Sequence, residues 1–496
     1  MPDPTYDQLI ARLKRIDVFR SILGILHWDE QVNLPPDSAD RRAQQLQELA
    51  SVHHAAAADP EIGRLLSVLE SRDLPPGSDA DVVVRHARRD FDRASRLPED
   101  FVREKAALDS AAFHAWARAR KNSDFPAFAP FLERQIVMAR REAEFMGWGD
   151  RPYDYSIDLH DPGLDTAFIA PLFASLRREL PPLARRIAAS RPATAPNMFR
   201  GFSIPAQREF IREALDRVGF NWNRGRLDTS LHPFCGGDAL DTRLTTRFDE
   251  NNPLDAIFSS IHEAGHALYE QGLPETDIGT PLGEAVGMAI HESQSRLWEN
   301  QVGRSPQFWA FFEPRLRFHF GPQLTPISSA ELLAAINDVR PGPIRVDADE
   351  VTYNLHILMR FDLEMALFEG RLSVADLPCE WNRLSEDLLG ITPADDAHGV
   401  LQDVHWSSGS FGYFPSYALG NMIAAQLWYH ALCELPGLPE DFARGQFSRL
   451  LAWLRDKVHR RGKRLDTQEL IVAATGQPLG TSALLRHLSE RYLTNA

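Results

Sequence analysis

Two histidines and a glutamate within residues 262–266 have the types and the spacing of a catalytic metal site. The segment is His-Glu-Ala-Gly-His. Side chains four positions apart in a helix lie one turn apart on the same face, so the imidazoles of His262 and His266 can bind one ion. Glu263 lies beside them, near the position that a catalytic zinc leaves open for water. The pattern predicts metal-assisted peptide hydrolysis with Glu263 as the general base.

A catalytic zinc site needs a third protein ligand, and a second helical stretch at residues 284–300 can supply it. Glu292 is the preferred ligand in this stretch, and Glu284 and Glu299 are the competing carboxylates. His291 points about 100° away from Glu292 on a helix, so we expect it to support a ligand rather than to bind the metal. Two neutral imidazoles and one carboxylate leave the site positively charged, which lowers the pKa of a water molecule on the metal.

The sequence around the histidines predicts the helix that must position them. Asn252 and Pro253 suit the N-cap and the first turn, and Gly272 suits the end of the helix. Apolar side chains at helical spacing give this segment a buried side: Ile257, Phe258, Ile261, Ala264 and Leu268.

Helical periodicity dominates the rest of the chain, and candidate strands are short. The expected fold is mainly α, that of a large helical zincin-like metallopeptidase with a small β-sheet near the active site. We treat residues 1–496 as one unit, with an N-terminal helical part at about 1–200 and a catalytic part at about 201–496. The pattern predicts helices at 5–27, 39–51, 80–95, 98–121, 126–147, 164–190, 205–218, 329–338, 349–370, 415–434 and 440–460, and strands at 240–248 and 342–346.

Composition excludes several classes of protein. Asp and Glu number 69 against 54 Lys and Arg, a net charge of −15, which argues against a nucleic-acid binder and an anionic membrane surface. The three cysteines, Cys235, Cys379 and Cys433, are far apart and form no disulfide or zinc pattern. The N-terminal segment lacks the apolar core of a signal peptide, and no apolar stretch is long enough to span a membrane. We therefore expect a cytoplasmic protein.

Short segments around the metal motif together resemble one family, that of carboxypeptidase Taq (thermostable carboxypeptidase 1, peptidase family M32). They follow the order of the family and span residues 232–406, with weaker likeness at Trp28-Asp29 and at 475–480. After Trp28-Asp29 this chain has E-Q-V-N-L-P instead of the more usual ending in Met-Pro, which is remote from the metal motifs. The matching segments are His232-Pro233-Phe234; Asp241, Arg243 and Thr245; His262 to His266; the H-E-S-Q segment from His291; Ile344, Arg345, Ala348 and Asp349; and Gly399, Gln402, Asp403, His405 and Trp406.

The resemblance implies a metal-dependent carboxypeptidase that removes single residues from peptide C-termini with broad specificity. It also implies a mostly helical fold with a deep groove past the metal, a homodimer, and one divalent ion per chain, Zn²⁺ or Co²⁺. The partners are then peptides with a free C-terminus. The segment at His232 resembles a rigid stop that closes the groove, so that only the terminal residue passes the metal.

A carboxypeptidase must bind the terminal carboxylate of its substrate, and a forked guanidinium does this well. Arg345 is the first choice and Arg243 the second. The alternative is that each arginine pairs with a nearby acid, such as Asp349 or Asp241, and only shapes the groove.

The reaction also needs hydrogen-bond donors for the developing oxyanion. The likeness to related zinc peptidases suggests His405 and a tyrosine of residues 411–417, with Tyr413 preferred over Tyr417. The alternative is that these aromatics belong to the core of the following helix. Gln402 and Asp403 are assigned to the substrate-binding region, where we expect them to orient His405.

Two other functions fit parts of the pattern. An oligopeptidase or a dipeptidyl carboxypeptidase shares the metal motif and differs in the size of its products. A non-catalytic helical scaffold that binds peptides predicts a damaged ligand or base, but all four residues are present: His262, Glu263, His266 and Glu292.

Overall fold

The computed structural model describes residues 3–190 and 198–493, and within them the chain forms twenty-one α-helices and one small sheet. Proline occupies the first turn of many of these helices, where its missing N–H leaves no hydrogen bond unmade. The helices are α1 Pro4–Val32, α2 Ala39–Ala57, α3 Pro60–Glu70, α4 Asp79–Ser95, α5 Glu99–Asn122, α6 Phe125–Phe145, α7 Pro152–His160, α8 Thr166–Ser190, α9 Ile204–Val218, α10 Pro253–Glu270, α11 Met288–Arg296, α12 Pro306–His319, α13 Gly321–Leu324, α14 Ser329–Ile336, α15 Tyr353–Phe368, α16 Leu377–Leu389, α17 Phe414–Glu434, α18 Leu438–Ala443, α19 Ser448–Lys457, α20 Thr467–Thr475 and α21 Ser482–Leu493.

The sheet lies against the helix that carries the histidine pair. Its strands are β1 Gly225–Thr229, β2 Cys235–Gly237 and β3 Thr242–Thr246. β3 is central, parallel to β1 and antiparallel to β2. Both β2 and β3 contact α10, so the sheet borders the predicted site. The expectation of a mainly α fold with a small sheet is confirmed.

The buried apolar side chains of the described residues form one large core, a separate smaller one, and two clusters of three residues each. The large core joins residues from Ala112 to Tyr492 and includes the buried apolar side chains of α10, α15 and α17. The smaller core joins α1, α3 and α4 to Leu282 of the loop before α11. None of the helices in the described residues combines the length and apolarity that crossing a lipid bilayer requires.

Several helices and strands predicted from the sequence differ from the structure, either in their bounds or in their type. Residues 342–346 form no strand; instead Arg345–Asp347 is a short 3₁₀ turn. The single helix predicted at 440–460 is broken between α18 and α19, where Gly445 has a φ of 72°. The stretch at 284–300 becomes helical only at Met288 and continues after Arg296 as a π-helix, Leu297–Gly303. Asn252 precedes α10 as predicted, but its side chain makes no capping hydrogen bond.

Candidate metal centre and substrate groove

Two glycines let the helices of the predicted metal site approach closely. A Cβ at Gly265 of α10 would lie 2.5 Å from the Cα of Ser295, so α10 and α11 could not pack this closely with any larger residue there. Gly420 does the same for α17, because a Cβ there would lie 2.6 Å from the Cγ of Glu292. The side chain of Glu292 is thus enclosed between α10 and α17, and it is only 7% exposed.

The structure brings the two predicted histidines and Glu292 to one point. Their potential ligand atoms all lie within 4.8 Å of one another. The Oε2 atom of Glu292 lies 3.7 Å from the Nε2 atom of His262 and 3.4 Å from the Nε2 atom of His266. Two imidazole nitrogens and one carboxylate are the donor set of many catalytic zinc sites.

The second nitrogen of each imidazole has a hydrogen-bond partner, which leaves Nε2 for an ion. The Nδ1 atom of His262 donates to the Oε2 atom of Glu299 over 2.8 Å. The Nδ1 atom of His266 lies 2.5 Å from that of His291, and the Nε2 atom of His291 lies 2.8 Å from Glu270. Because a carboxylate can only accept, Nε2 of His291 donates to Glu270, and Nδ1 of His291 is then placed to accept from Nδ1 of His266. The residues present therefore fit a divalent cation.

Charge and burial keep Glu292 and His266 in the form that a metal requires, whereas the charge of Glu292 and the hydrogen bond to Glu299 outweigh burial and raise the pKa of His262. Burial alone would raise the pKa of Glu292, but Arg296 and His262 outweigh this effect and lower it far below the usual range. Arg296 donates from Nε to Glu292 over 2.7 Å. The pKa of Glu299 falls to about 2, again because Arg296 outweighs the burial of the carboxyl. Burial lowers the pKa of His266 to about 3, so its ring is neutral and able to bind a cation.

Glu263 lies in an environment suited to proton transfer. Its side chain is 7% exposed, and burial raises the pKa of the carboxyl to about 7, with the charge of His262 opposing the shift. A carboxyl with a pKa near neutrality can accept a proton and release it again at physiological pH.

The competing carboxylates occupy other positions. Glu284 accepts from Arg20 over 2.6 Å and from Lys463, and it is not among the residues whose ligand atoms converge. Glu299 lies behind His262 and orients its ring. Glu299 follows Glu292 by seven positions, two helical turns, so its place on the same face was visible in the sequence.

A cavity of about 760 Å³ lies between α1 and the sheet and reaches His291, the hydrogen-bond partner of His266. Glu270 and His291 line its inner end, and Trp28, Phe234 and Arg243 line its walls. Phe234 belongs to the His-Pro-Phe segment, whose backbone is held on β3 by a bond of 2.9 Å from its N–H to the hydroxyl of Thr245. Phe234 of the segment that was expected to close the groove thus lines this cavity, whereas the three ligand residues do not.

Arg243 is paired and stacked at the wall of this cavity. Its Nε and Nη2 atoms donate to the two oxygens of Asp241 over 2.9 and 2.8 Å. Its guanidinium lies 4.3 Å from the ring centroid of Trp28. The pairing with Asp241 is the alternative that the sequence left open.

Arg345 is buried, and its partner differs from the one considered in the sequence. Nε and Nη2 of Arg345 donate to Oδ1 of Asp403 over 2.9 and 2.7 Å, whereas Asp349 caps the turn before α15. Nη1 of Arg345 donates to the hydroxyl of Tyr353, and its backbone N–H donates to Gln402, both over 2.8 Å.

Gln402 and Asp403 were expected to orient His405, but both make their hydrogen bonds to other residues. Gln402 donates to main-chain oxygens, including that of Pro343 over 3.0 Å. The second oxygen of Asp403 accepts from Arg360 over 2.7 Å. These two residues organise the Arg345 cluster, and their link to His405 is electrostatic: the charge of Asp403 raises the pKa of His405, but burial outweighs it and lowers this pKa to about 4.

His405 and both tyrosines form one aromatic group. The Nε2 atom of His405 lies 3.3 Å from the hydroxyl of Tyr417. The rings of Tyr413 and Tyr417 are 5.2 Å apart. Burial and then the charge of Glu292 raise the pKa of Tyr413 to about 12, and Glu292 also contributes to the raised pKa of Tyr417. Both hydroxyls are protonated near neutral pH and lie within electrostatic reach of the metal ligand.

Comparison with known proteins identifies the family of the chain. The model of the carboxypeptidase Taq (M32) metallopeptidase family matches residues 8–492. The chain is 41% identical to thermostable carboxypeptidase 1 of Thermus thermophilus, with 99% of each chain covered, and 38% identical to carboxypeptidase 1 of Bacillus subtilis, with 98% of each covered. An M32 carboxypeptidase of known structure from Deinococcus radiodurans R1 superposes with a TM-score of 0.95 at 40% identity, with 99% of each chain covered. The chain therefore belongs to the carboxypeptidase Taq (M32) metallopeptidase family and is a metallocarboxypeptidase.

Proposed function

We propose that this chain releases single amino acids from the C-termini of peptides, with broad specificity, using one Zn²⁺ held by His262, His266 and Glu292; Co²⁺ is a second candidate for the ion. The observation that carries the proposal is the convergence of two Nε2 atoms on one oxygen of Glu292. A hydrogen bond to Nδ1 holds each imidazole on the side opposite Nε2, and it thereby orients Nε2 toward the shared oxygen of Glu292. When bound, a divalent cation supplies Lewis acidity to a water molecule and to the scissile carbonyl.

Glu263 moves the proton in this mechanism. As a carboxylate it takes a proton from the attacking water, and as a carboxylic acid it passes the proton to the leaving amine. The pKa of about 7 supports both halves of this cycle at neutral pH. Burial also keeps bulk water away from the proton between the two steps.

Tyr413 and His405 stabilise charge that develops on the carbonyl oxygen. A phenol that stays protonated near neutral pH donates a hydrogen bond to an oxyanion. Tyr417 is already close to His405, so we assign it to orienting the His405 ring and assign the donor role to Tyr413.

Arg345 binds the terminal carboxylate of the peptide. Arg345 and Arg360 carry two positive charges against one negative charge on Asp403, so this cluster has one uncompensated positive charge. Arg243 is balanced by Asp241 alone, which leaves it neutral as a pair. The uncompensated charge favours Arg345 as the carboxylate partner, with Gln402 and Asp403 holding it in place, and Arg243 as part of the groove wall.

The composition and the family resemblance support the remaining parts of the proposal. We propose a homodimer that works in the cytoplasm on peptides and binds neither nucleic acid nor membrane. The net charge of −15 is consistent with the absence of a nucleic-acid partner.

Product analysis tests the proposed function. The purified protein is incubated with an N-blocked dipeptide and an N-blocked hexapeptide, with added Zn²⁺ or Co²⁺, and with or without a chelator. We expect free C-terminal residues to appear one at a time and the chelator to stop their release. Release of dipeptides or internal fragments would instead indicate the dipeptidyl carboxypeptidase or oligopeptidase. Binding of peptide without any hydrolysis would support the scaffold.

A further inference from the structure

The loop between His405 and Tyr413 must hold both side chains in place, although it contains little regular structure. It begins with a 3₁₀ turn, His405–Ser408, and ends where α17 starts. Gly409 and Gly412, with φ values of 66° and 73°, turn the chain back on itself. A loop of this kind needs fixed hydrogen bonds to keep two reacting side chains at a constant separation.

Glu364 of α15 supplies such bonds on both sides of the loop. Its Oε1 atom accepts from Nε1 of Trp406 over 2.7 Å, one residue after His405. Its Oε2 atom accepts from the backbone N–H of Gly412 over 2.9 Å, one residue before Tyr413. Among the described residues, Glu364 is the one side chain that bonds both flanks of the loop.

The burial of Glu364 carries a free-energy cost that its hydrogen bonds must offset. The side chain is fully buried, and no salt bridge in the described part of the chain neutralises it. Its third hydrogen bond comes from the hydroxyl of Tyr153 over 2.8 Å. A buried carboxylate without a paired cation is expensive, and its three donors are what make it tolerable.

Glu364 also shares a helix face with the residue that holds the segment before the loop. Arg360, one turn earlier on α15, donates to Asp403 over 2.7 Å. Residues four apart on a helix point the same way. One face of α15 therefore anchors the chain at residues 403, 406 and 412.

We propose that Glu364 is a positioning residue for the reaction, which fixes the separation and orientation of His405 and Tyr413 through Trp406 and Gly412. It does not touch substrate or metal. The inference rests on the proposed function, because it assigns His405 and Tyr413 to the oxyanion. Glu364 lies outside every motif that the sequence singled out.

Kinetics of Glu364→Gln test this inference. The amide keeps the volume of the side chain but offers an N–H where an oxygen accepted before, so one flank of the loop is released. We expect kcat to fall roughly 10- to 100-fold, the loss typical of a displacement of about 1 Å at a reacting group, with KM changed less than about threefold. Metal content should equal that of the wild type, because no metal ligand is touched.

Glu142→Gln is the matched control. Glu142 is likewise buried and accepts from a tyrosine hydroxyl, that of Tyr155, over 3.1 Å, but its other partner is Lys105 and not the catalytic loop. Its kcat should stay at the wild-type value. An equal loss of kcat in both variants would overturn the positioning role, because any buried carboxylate would then have the same effect.

A double-mutant cycle separates positioning from general stability. If Glu364 acts through the loop, its substitution should cost much less in a Tyr413→Phe background than in the wild type. Additive effects would contradict the inference. Should Glu364→Gln fail to fold, Trp406→Phe removes one of the two flanking bonds, and a kcat unchanged in that variant would overturn the proposal. An inactive wild type would refute the proposed function itself, whereas an active wild type with an equally active Glu364→Gln refutes only this inference.

Discussion

The floor and the wall of the groove are held together by different physical forces. By the floor we mean the packed helices that carry or hold the proposed catalytic residues, α10, α11, α15 and α17, and fourteen of the 21 residues of α17 are buried. The wall consists of α1 and the residues that contact it from β3 and from the loop before α11, Arg243 and Glu284; only Leu9 and Trp28 of the 29 residues of α1 are buried. Packing fixes the floor, whereas the wall depends on partly exposed charges, such as the pair Arg20–Glu284, and on the stacking of Arg243 on Trp28.

This difference suggests that the floor fixes the catalytic geometry and that the wall can adjust to the substrate. Close packing holds side chains to a single geometry, as catalysis requires, and it is insensitive to salt. Exposed ion pairs contribute little and are screened by salt, so the wall can adjust at small cost. Changes in the floor should therefore reduce kcat by orders of magnitude, and changes in the wall should alter substrate affinity or stability modestly.

The largest effect is expected at Glu292 of the floor. Glu292→Gln removes the negative ligand while keeping the size of the side chain, so the chain should lose its metal and its turnover should fall by more than about 1000-fold. Metal analysis and hydrolysis of an N-blocked dipeptide measure both quantities.

Two other glutamates of the same stretch complete this comparison. Glu299→Gln should weaken metal affinity by about 10- to 100-fold, because it only orients His262. Glu284→Gln, at the wall, should retain metal and turnover. If Glu284→Gln lost the metal as completely as Glu292→Gln, the contrast between floor and wall would be wrong.

A large but smaller effect is expected at the tyrosines. Tyr413→Phe removes the proposed donor to the oxyanion and should lower kcat about 100- to 1000-fold with KM nearly unchanged. Tyr417→Phe should cost less, because Tyr417 acts through His405. Steady-state kinetics of both variants decide between them, and a greater loss in Tyr417→Phe would reverse the assignment.

The two arginines test the comparison through substrate affinity. Arg345→Lys replaces the forked guanidinium with an ammonium group that cannot bind a carboxylate through two parallel hydrogen bonds. KM should rise about 10- to 100-fold, the change expected when one charge-assisted hydrogen bond is lost. Arg243→Lys, at the wall, should change KM less than about threefold. The same peptide with an amidated C-terminus should be a poor substrate for wild type and should respond little to Arg345→Lys. A larger effect of Arg243→Lys would move the carboxylate site to the wall.

The smallest effect concerns stability and pH at the wall. Burial would raise the pKa of Glu284, but Lys463 and Arg20 outweigh it and lower this pKa to about 2 from 4.5. A lowered pKa stabilises the fold above pH 4.5, and this contribution is lost as pH falls towards 2. Glu284→Gln should therefore lower the Tm by roughly 1 to 3 °C at pH 7, and the difference should narrow below pH 4.5. A difference that stays constant with pH would show that the charge of Glu284 is not responsible.

The sequence was most informative where one helix carries the pattern. His262, Glu263 and His266 are fixed relative to one another by helical geometry alone, and Glu292 follows from the need for a third ligand. The helical class was equally predictable from apolar periodicity. Family likeness identified Arg345 and His405, but it did not identify their partners.

Contacts between distant segments could not be predicted, because they depend on how helices pack. Glu364 meets Trp406 and Gly412 only after α15 packs beneath the loop. Asp403 faces Arg345 and Arg360 for the same reason. The break at Gly445 was missed because apolar spacing continues on both sides of it, and the strand expected at 342–346 was short enough for its tertiary contacts to decide its form.

The most direct test of the account is the metal content and turnover of Glu263→Gln measured on the same sample. The amide cannot accept a proton from water, but all three ligands remain. We expect one metal ion per chain, as in the wild type, and turnover lowered by about 100- to 10,000-fold. A fully metallated Glu263→Gln with wild-type turnover would contradict the assignment of Glu263 as the general base and, with it, the mechanism derived from this site.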